Sequence, residues 1–430
     1  MKGVGMNAKS SKMILSSILI VIAVGLLYPI YNSPIWWVSL EAPNYPEESF
    51  PNGVRILFHL NGVFNGCEKM DKVEILEEEA LDCVHEMDTI NHYVGMYPIA
   101  SGGPVELFFS IFLLALVGVM LLAYVCVKPL VRTGIMVVGF GALAIWMGLA
   151  WLGTDGLDFH SAEYLNARIT VLGSEADDVS DDTDSAADDQ VASLKAALGE
   201  GGVDLPEGMG ALEALKASQA GEQIATVDAD EPAGAPAETN EEVTAAEALN
   251  KKQMAIAFLK DEFEEYQKRH VDEPEEWKGN GSQMVAWHYQ KSLGKYFRDQ
   301  EVLGPMVKKI KTAGSVVFWG VIVIMIFLIV MARKPKGPVN WMLILIPMGL
   351  PLYFVVEYVI WLWWYGHNMN SMGAFTLKAF TPTAFGQGKV AQFTTNSYPE
   401  YGFWLIVLFS VLLGVAAYLR KQEQESDEDK

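Results

Sequence analysis

The sequence predicts a mainly α protein: a six-helix transmembrane bundle carrying a small mixed outer segment and a disordered acidic insertion. Composition points there first. The 430 residues are 51% hydrophobic and 20% charged, which excludes both an ordinary soluble globule and an ordinary disordered chain. Apolar residues collect in runs close to the roughly 20 needed to cross a hydrocarbon core. Acid collects too. Residues 171–250 hold 20 acidic and 2 basic side chains, so only −4 of the formal −22 belongs to the other 350 residues.

Residues 1–31 form a tail and an anchor. The run 13–31 carries no charge and follows Lys2, Lys9 and Lys12. It exceeds a signal-peptide core and lacks a small-x-small cleavage site before Trp36, so it reads as an uncleaved span. Further runs lie at 107–127 and 134–153, a membrane hairpin within 107–153, then at 315–332 and 341–364 within 315–365, and at 402–419 within 402–430. Backbone polar groups in lipid must pair internally, which makes these runs helices.

Basic residues orient the spans. Lys2, Lys9 and Lys12 precede the first, and Lys128 and Arg132 fill the turn after the second. Arg333, Lys334 and Lys336 follow the fourth, and Arg420 and Lys421 the sixth. Six crossings put all four clusters on one side, the cytoplasmic side by the positive-inside rule. Both termini are then expected inside an inner membrane, with 32–106, 154–314 and 366–401 facing outward. Trp36-Trp37 and Trp361, Trp363, Trp364 and Tyr365 fall at the expected outer interface.

Within 32–106, Val54–Phe58 reads as a strand and Asn61-Gly62 as a turn. Cys67 and Cys83 lie in this outward, oxidising segment and are expected to form a disulfide; a pair of thiolate ligands is the alternative. Cys126 reads as a small buried apolar residue. In 154–314, the stretch 171–250 has no Phe, Tyr or Trp and reads as a solvated acidic linker. Beyond it Leu249, Ile256, Leu259, Phe263 and Tyr266 mark one helix face, and a second helix is expected from about Ser282 to Phe297. The segment 366–401, rich in Gly, Thr, Pro and Phe, is expected to lie ordered against its neighbours.

Several chemistries drop out. The seven histidines, at 59, 85, 92, 160, 270, 288 and 367, all lie outside the spans, which excludes a bis-histidine haem within the bilayer. His85-Glu-Met-Asp-Thr89 begins like HExxH and lacks the second histidine that zinc hydrolysis requires. There is no GxxxxGK[ST], no CxxC, and no basic stripe suited to nucleic acid. Glu357 is the clear intramembrane acid. It either bonds to a neighbouring helix or supports an outer site from beneath, and one such group is few for an ion-coupled carrier.

What remains is a set of soft donors in the outward loops. His85, Met87, His92 and Met96 form one group, and His367, Met369 and Met372 the other. Thioethers bind without deprotonation and imidazole suits copper. Against this stands a plain structural reading in which Gly95 and Pro98 make a tight loop.

Four stretches carry a resemblance: Trp37–Pro46, Asn91-His-Tyr-Val-Gly-Met96 with Tyr-Pro-Ile, Tyr365-Gly-His-Asn-Met369, and Ala391–Pro399. They resemble a little-characterised group of bacterial multi-pass membrane proteins that accompanies copper handling and nitrous-oxide-reductase maturation. The acidic stretch 171–250 departs from that pattern. The resemblance implies a non-enzymatic accessory protein that binds Cu(I) on its outer face and passes it to a cuproprotein or its assembly complex. His92 and Met96 would be its first ligands, with His85, Met87, His367, Met369 and Met372 as further candidates. A scaffold subunit of an envelope respiratory or maturation complex is the rival expectation, and a small-solute permease built around Glu357 a third.

Overall fold

The computed structural model describes residues 8–47, 49–67, 82–98, 102–126, 128–173, 240–270, 274–296, 300–332, 339–370, 378–390 and 392–428. The chain divides into two units, Met1–Gly148 with Lys308–Lys430, and Leu149–Val307. Most of the segment expected as acidic linker, 174–239, lies outside the described residues. So do Arg333, Lys334, Lys336 and Met372.

The first unit holds α1 (Ala8–Asn32), α2 (Cys83–Tyr93), α3 (Pro104–Val125) and most of α4 (Pro129–Leu152). The second unit follows with α5 (Ala162–Gly173), α6 (Asn240–His270), α7 (Gly281–Tyr296) and the start of α8 (Gln300–Ala332). The first unit then resumes with α9 (Val339–Met348), α10 (Leu350–His367) and α11 (Tyr401–Glu428). Helices α1, α3, α4, α8 and α11 are each long and apolar enough to cross a membrane, and the bent pair α9–α10 makes a sixth if it is one span. The chain thus has the helices of a multi-pass membrane protein.

The run 341–364, expected as one helix, bends by 54° between α9 and α10. Pro347, Gly349 and Pro351 lie at the break, where proline removes backbone donors and glycine lowers helix propensity. Within the first unit α1 packs along α11 and α3, and α9 against α3 and α11. One end of this bundle is basic. Lys12 Nζ donates to Gln422 Oε1 at 3.0 Å, Arg132 Nε and Nη2 to Cys126 O at 3.2 and 3.1 Å, and Arg420 to Tyr124 O. Two guanidinium groups therefore cap the C-terminal carbonyls of α3, where the helix dipole favours cations.

The chain leaves the other ends of α1 and α11 in a five-stranded antiparallel sheet, ordered β3-β2-β1-β5-β4. Its strands are β1 (Trp36–Glu41), β2 (Val54–Phe58), β3 (Val63–Asn65), β4 (Gly386–Val390) and β5 (Phe393–Pro399). Val54–Phe58 is a strand as expected, and His59 N donates to Gly62 O across the Asn61-Gly62 turn at 2.9 Å. Of the segment 366–401, residues 371–377 and 391 lie outside the described residues, and the rest includes two strands, with β5 pairing β1 along Trp36↔Pro399 to Glu41↔Thr394. Leu40, Val54, Ile56 and Val63 pack with Cys83, Val84, Met87 and Ile90 of α2 in one core. Cys67 and Cys83 are joined by a disulfide, their Cα atoms 6.0 Å apart.

Trp36, expected at the membrane interface, is instead buried. Its indole donates to Ser397 Oγ at 2.8 Å and its ring meets Tyr358 and Phe403. A strand sends alternate side chains to opposite faces, and β1 turns Trp36 toward α10 while Trp37 lies against Tyr398 and Arg55.

In the second unit Leu259, Phe263 and Tyr266 form a buried helix face as their spacing predicts. Helix α6 begins at Asn240, inside the stretch expected as linker, because Glu241, Glu242 and the alanines after them suit a helical first turn. Helix α7 takes the place of the helix expected from Ser282. Helix α5 had no counterpart in the sequence reading.

Candidate functional site

The Asn91-His-Tyr-Val-Gly-Met96 run has a local explanation. Asp82 caps α2 by accepting from Val84 N and His85 N at 3.0 and 3.1 Å. The helix then closes at its far end through two bonds, Met96 N to Asn91 O at 2.8 Å and Gly95 N to His92 O at 2.9 Å. This is a Schellman termination, which wants glycine in the left-handed region followed by an apolar residue. Gly95 has φ +79° and Met96 is the apolar residue. The spacing of the motif is thus set by how α2 stops.

That ending delivers Met96 into a second cluster. Met96 and Tyr365 are buried together, packed by Phe58, Val94, Tyr97, Trp361, Met369 and Phe380. The two segments are tied by backbone: Asn370 N and Nδ2 both donate to Gly95 O at 2.8 Å. Tyr97 also stacks on Trp364, ring centres 5.8 Å apart. Met369 of the second methionine group therefore packs on the cluster that holds Met96 of the first.

The other candidates fall in different places. Met87 is buried in the core beneath the sheet, beside Cys83 and Val84. His85 lies seven residues before His92 on α2, roughly 10 Å along the axis, too far to share an ion with it. His92 occupies the last turn of α2, and burial lowers its imidazole below the usual value, so the ring is neutral at pH 7. His367 ends α10, exposed, stacked on Trp363 with its Nδ1 2.8 Å from Trp363 O. A carbonyl only accepts, so Nδ1 carries the proton and Nε2 keeps its lone pair. Glu357 accepts from the Tyr353 hydroxyl and lies within electrostatic reach of Glu106 on α3.

Among the described residues, no group of three or more His, Cys, Asp or Glu is placed to hold a metal ion. Any metal bound at this end would lean on the thioethers. The aromatic wall around them is not among the site residues expected from sequence. Trp361, Trp363, Trp364 and Tyr365, expected as one interfacial belt, are divided by helical phase. Tyr365 is buried and Trp361 packs on the cluster, whereas Trp363 and Trp364 are exposed. The spacing of Tyr358, Trp361 and Tyr365, at three and four residues, carries that signal. Comparison with protein-family models, with curated proteins and with solved structures returns no match.

Proposed function

We propose that this protein is a non-enzymatic inner-membrane accessory protein that binds Cu(I) at its sheet-bearing end and hands it to a cuproprotein or its assembly complex. The observation that carries this reading is the shared cluster of Met96 and Met369, two soft donors from distant parts of the sequence held in one apolar, aromatic-lined environment. Thioethers suit Cu(I), keep no proton to lose, and exchange readily. Neutral His92 and the Nε2 of His367 are the nearest imidazole donors in sequence. The proposed topology has six crossings and both termini inside. The convergence of Lys12, Arg132 and Arg420 at one end of the bundle supports that sidedness, since basic residues favour the cytoplasmic face. The sheet end is then the outer one.

The test is Cu(I) binding by purified protein against a colorimetric competitor. Near-stoichiometric binding is expected. Met96→Leu with Met369→Leu conserves volume while removing both sulfurs, and should weaken affinity at least about tenfold. Met87→Leu, in the other core, should leave it unchanged. Full affinity in the double variant would end the copper assignment.

The scaffold reading draws on β4, an edge strand whose outer side is available for pairing with another chain. Stable co-purification of a partner that is lost when Gln387 and Lys389 are replaced by proline would favour it.

A further inference from the structure

The second unit buries a cation that the side chains among its described residues do not fully satisfy. Arg168 on α5 has 0% exposure. Its Nη1 donates to His288 Nδ1 of α7 at 2.9 Å, and its guanidinium stands over the Tyr164 ring at 5.3 Å. Nε and Nη2 are buried and meet no acceptor among the described residues. These two nitrogens form one edge of the guanidinium, whose parallel N–H groups match the two oxygens of a carboxylate or other oxyanion.

The surroundings are rich in donors. Arg168 Nη1 also lies 3.4 Å from His288 Nε2, so one ring nitrogen of His288 accepts from the arginine and the other carries the proton. Ser292, one helical turn beyond His288, has a buried hydroxyl that meets no partner among the described residues. Lys291 is another cation on the same helix, but it is engaged by Glu262 at 2.9 Å and by Leu172 O at 2.7 Å. Glu262 is thereby committed to the lysine. A guanidinium does not shed its charge at accessible pH, and a buried charge without a counter-group is strongly unfavourable.

We infer that the Arg168–His288 pair is a binding site for a small oxyanion with two side-by-side oxygens, received by Nε and Nη2 of Arg168, with Ser292 on the same wall. This site is separate from the methionine cluster and independent of the copper reading. Exchange of an enclosed ion proceeds through local opening of α5 from α7. Bound anion suppresses that opening by the factor one plus concentration over dissociation constant, about elevenfold at ten times the constant.

The experiment measures hydrogen–deuterium exchange by mass spectrometry on the full-length protein in detergent. Sodium formate, sodium phosphate and sodium chloride are compared at matched ionic strength. Peptides spanning α5 and α7 should exchange at least about tenfold more slowly in saturating formate or phosphate than in chloride, with α2 unaffected. Formate outperforming phosphate would identify a planar carboxylate, and the reverse a tetrahedral oxyanion. Arg168→Met should abolish the salt dependence. Arg168→Lys keeps the charge without the fork, and should raise the half-saturating concentration at least about tenfold. Equal exchange of the wild type in all three salts would overturn the proposal whether or not the variants fold. Formate protection that persists in Arg168→Met would overturn it as well.

Discussion

Ser397 in the sheet region and Arg168 in the helical second unit are buried polar groups closed in opposite ways. Ser397, fully buried in β5, accepts from Trp36 at 2.8 Å, meets the Tyr358 hydroxyl at 3.2 Å and donates to Ala384 O at 3.0 Å. Its bonding capacity is spent within the chain. Arg168, equally buried in α5, keeps one edge without an acceptor among the described residues. The sheet joins two stretches of chain distant in sequence, through the β1–β5 ladder, whereas α5, α6 and α7 meet within one unit. At Ser397 the long-range ladder brings every partner into place, whereas Arg55 Nε and Asn61 Oδ1 in the same sheet region, like Arg168 Nε, are buried without a partner among the described residues. The contrast is therefore between two side chains and how each is closed, not between a satisfied region and an unsatisfied one.

The sharpest way to break this comparison is Gly366→Ala. A Cβ at that position would lie 1.7 Å from Phe380 O, while Phe380 N donates to Gly366 O at 3.1 Å. The contact is backbone on backbone, so no side chain can swing away. Loss of about 3 kcal/mol or more is expected, with Cu(I) affinity falling alongside because Phe380 packs on the methionine cluster. Gly294→Ala in α7 would place its Cβ in ordinary contact, 3.5 Å from Tyr266 Oη and 3.8 Å from Leu303 Cδ2, and should gain up to about 1 kcal/mol from helix propensity. Thermal unfolding of the two variants tests the contrast. Equal effects would remove the claim that the sheet region depends on close long-range approach.

Next comes the disulfide. Cys67→Ser should cost about 3 kcal/mol, the loop-closure value for 15 intervening residues. The loss should appear as faster exchange in α2 and β2. Copper binding should weaken only as far as α2 shifts Met96. Unchanged stability under reducing conditions would show that the ladder alone holds this region.

These two sites also show what the sequence made legible. Charge and hydropathy located the spans because lipid imposes a length and forbids open backbone. The helix face at Leu259, Phe263 and Tyr266 was legible because periodicity is local. The pairing of β1 with β5 was not, since nothing in Trp36–Glu41 names a partner near Thr394. The burial of Trp36 is illegible for the same reason, since β5 and α10 supply it together. The histidine–methionine set was legible as a list and illegible as a geometry. Its Gly95 marks a helix stop, which brings Met96 toward Met369 and leaves Met87 in a separate core.

Acid probes both regions through buried histidines. Desolvation lowers His59, beside the β2–β3 turn, to about 4. Desolvation lowers His288 well below its ordinary value too, with the charges of Arg168 and Lys291 adding to the effect. A depressed folded-state value means the unfolded chain binds more protons below about pH 6.5, so stability falls as pH drops. Each histidine contributes a slope of up to about 1.4 kcal/mol per pH unit. In the sheet the loss should level off near pH 4; the helical unit should likewise lose stability as pH falls below about 6.5. Exchange at β2 and at α7, followed from pH 7 to 4, reads the two separately. A pH-independent α7 would show that His288 is not held neutral.

The smallest expected effect concerns helix caps. Asp82 caps α2, and Asn280 Oδ1 accepts from Gln283 N at 2.9 Å at the start of α7. Replacing such a cap by alanine typically costs about 1 kcal/mol. Asp82, however, is followed at once by Cys83, whose disulfide already fixes where α2 begins. The orphaned amides of Val84 and His85 then cost their hydrogen bonds without freeing the helix end. Asp82→Ala should therefore cost less than Asn280→Ala. The difference should vanish in a Cys67→Ser background, because neighbouring sites that share one constraint are not additive. A double-mutant cycle of Asp82→Ala and Cys67→Ser, read by exchange in α2, measures that coupling. Strict additivity would mean the covalent tie and the cap stabilise α2 independently, and the sheet region would then be no more tightly over-determined than the helical one.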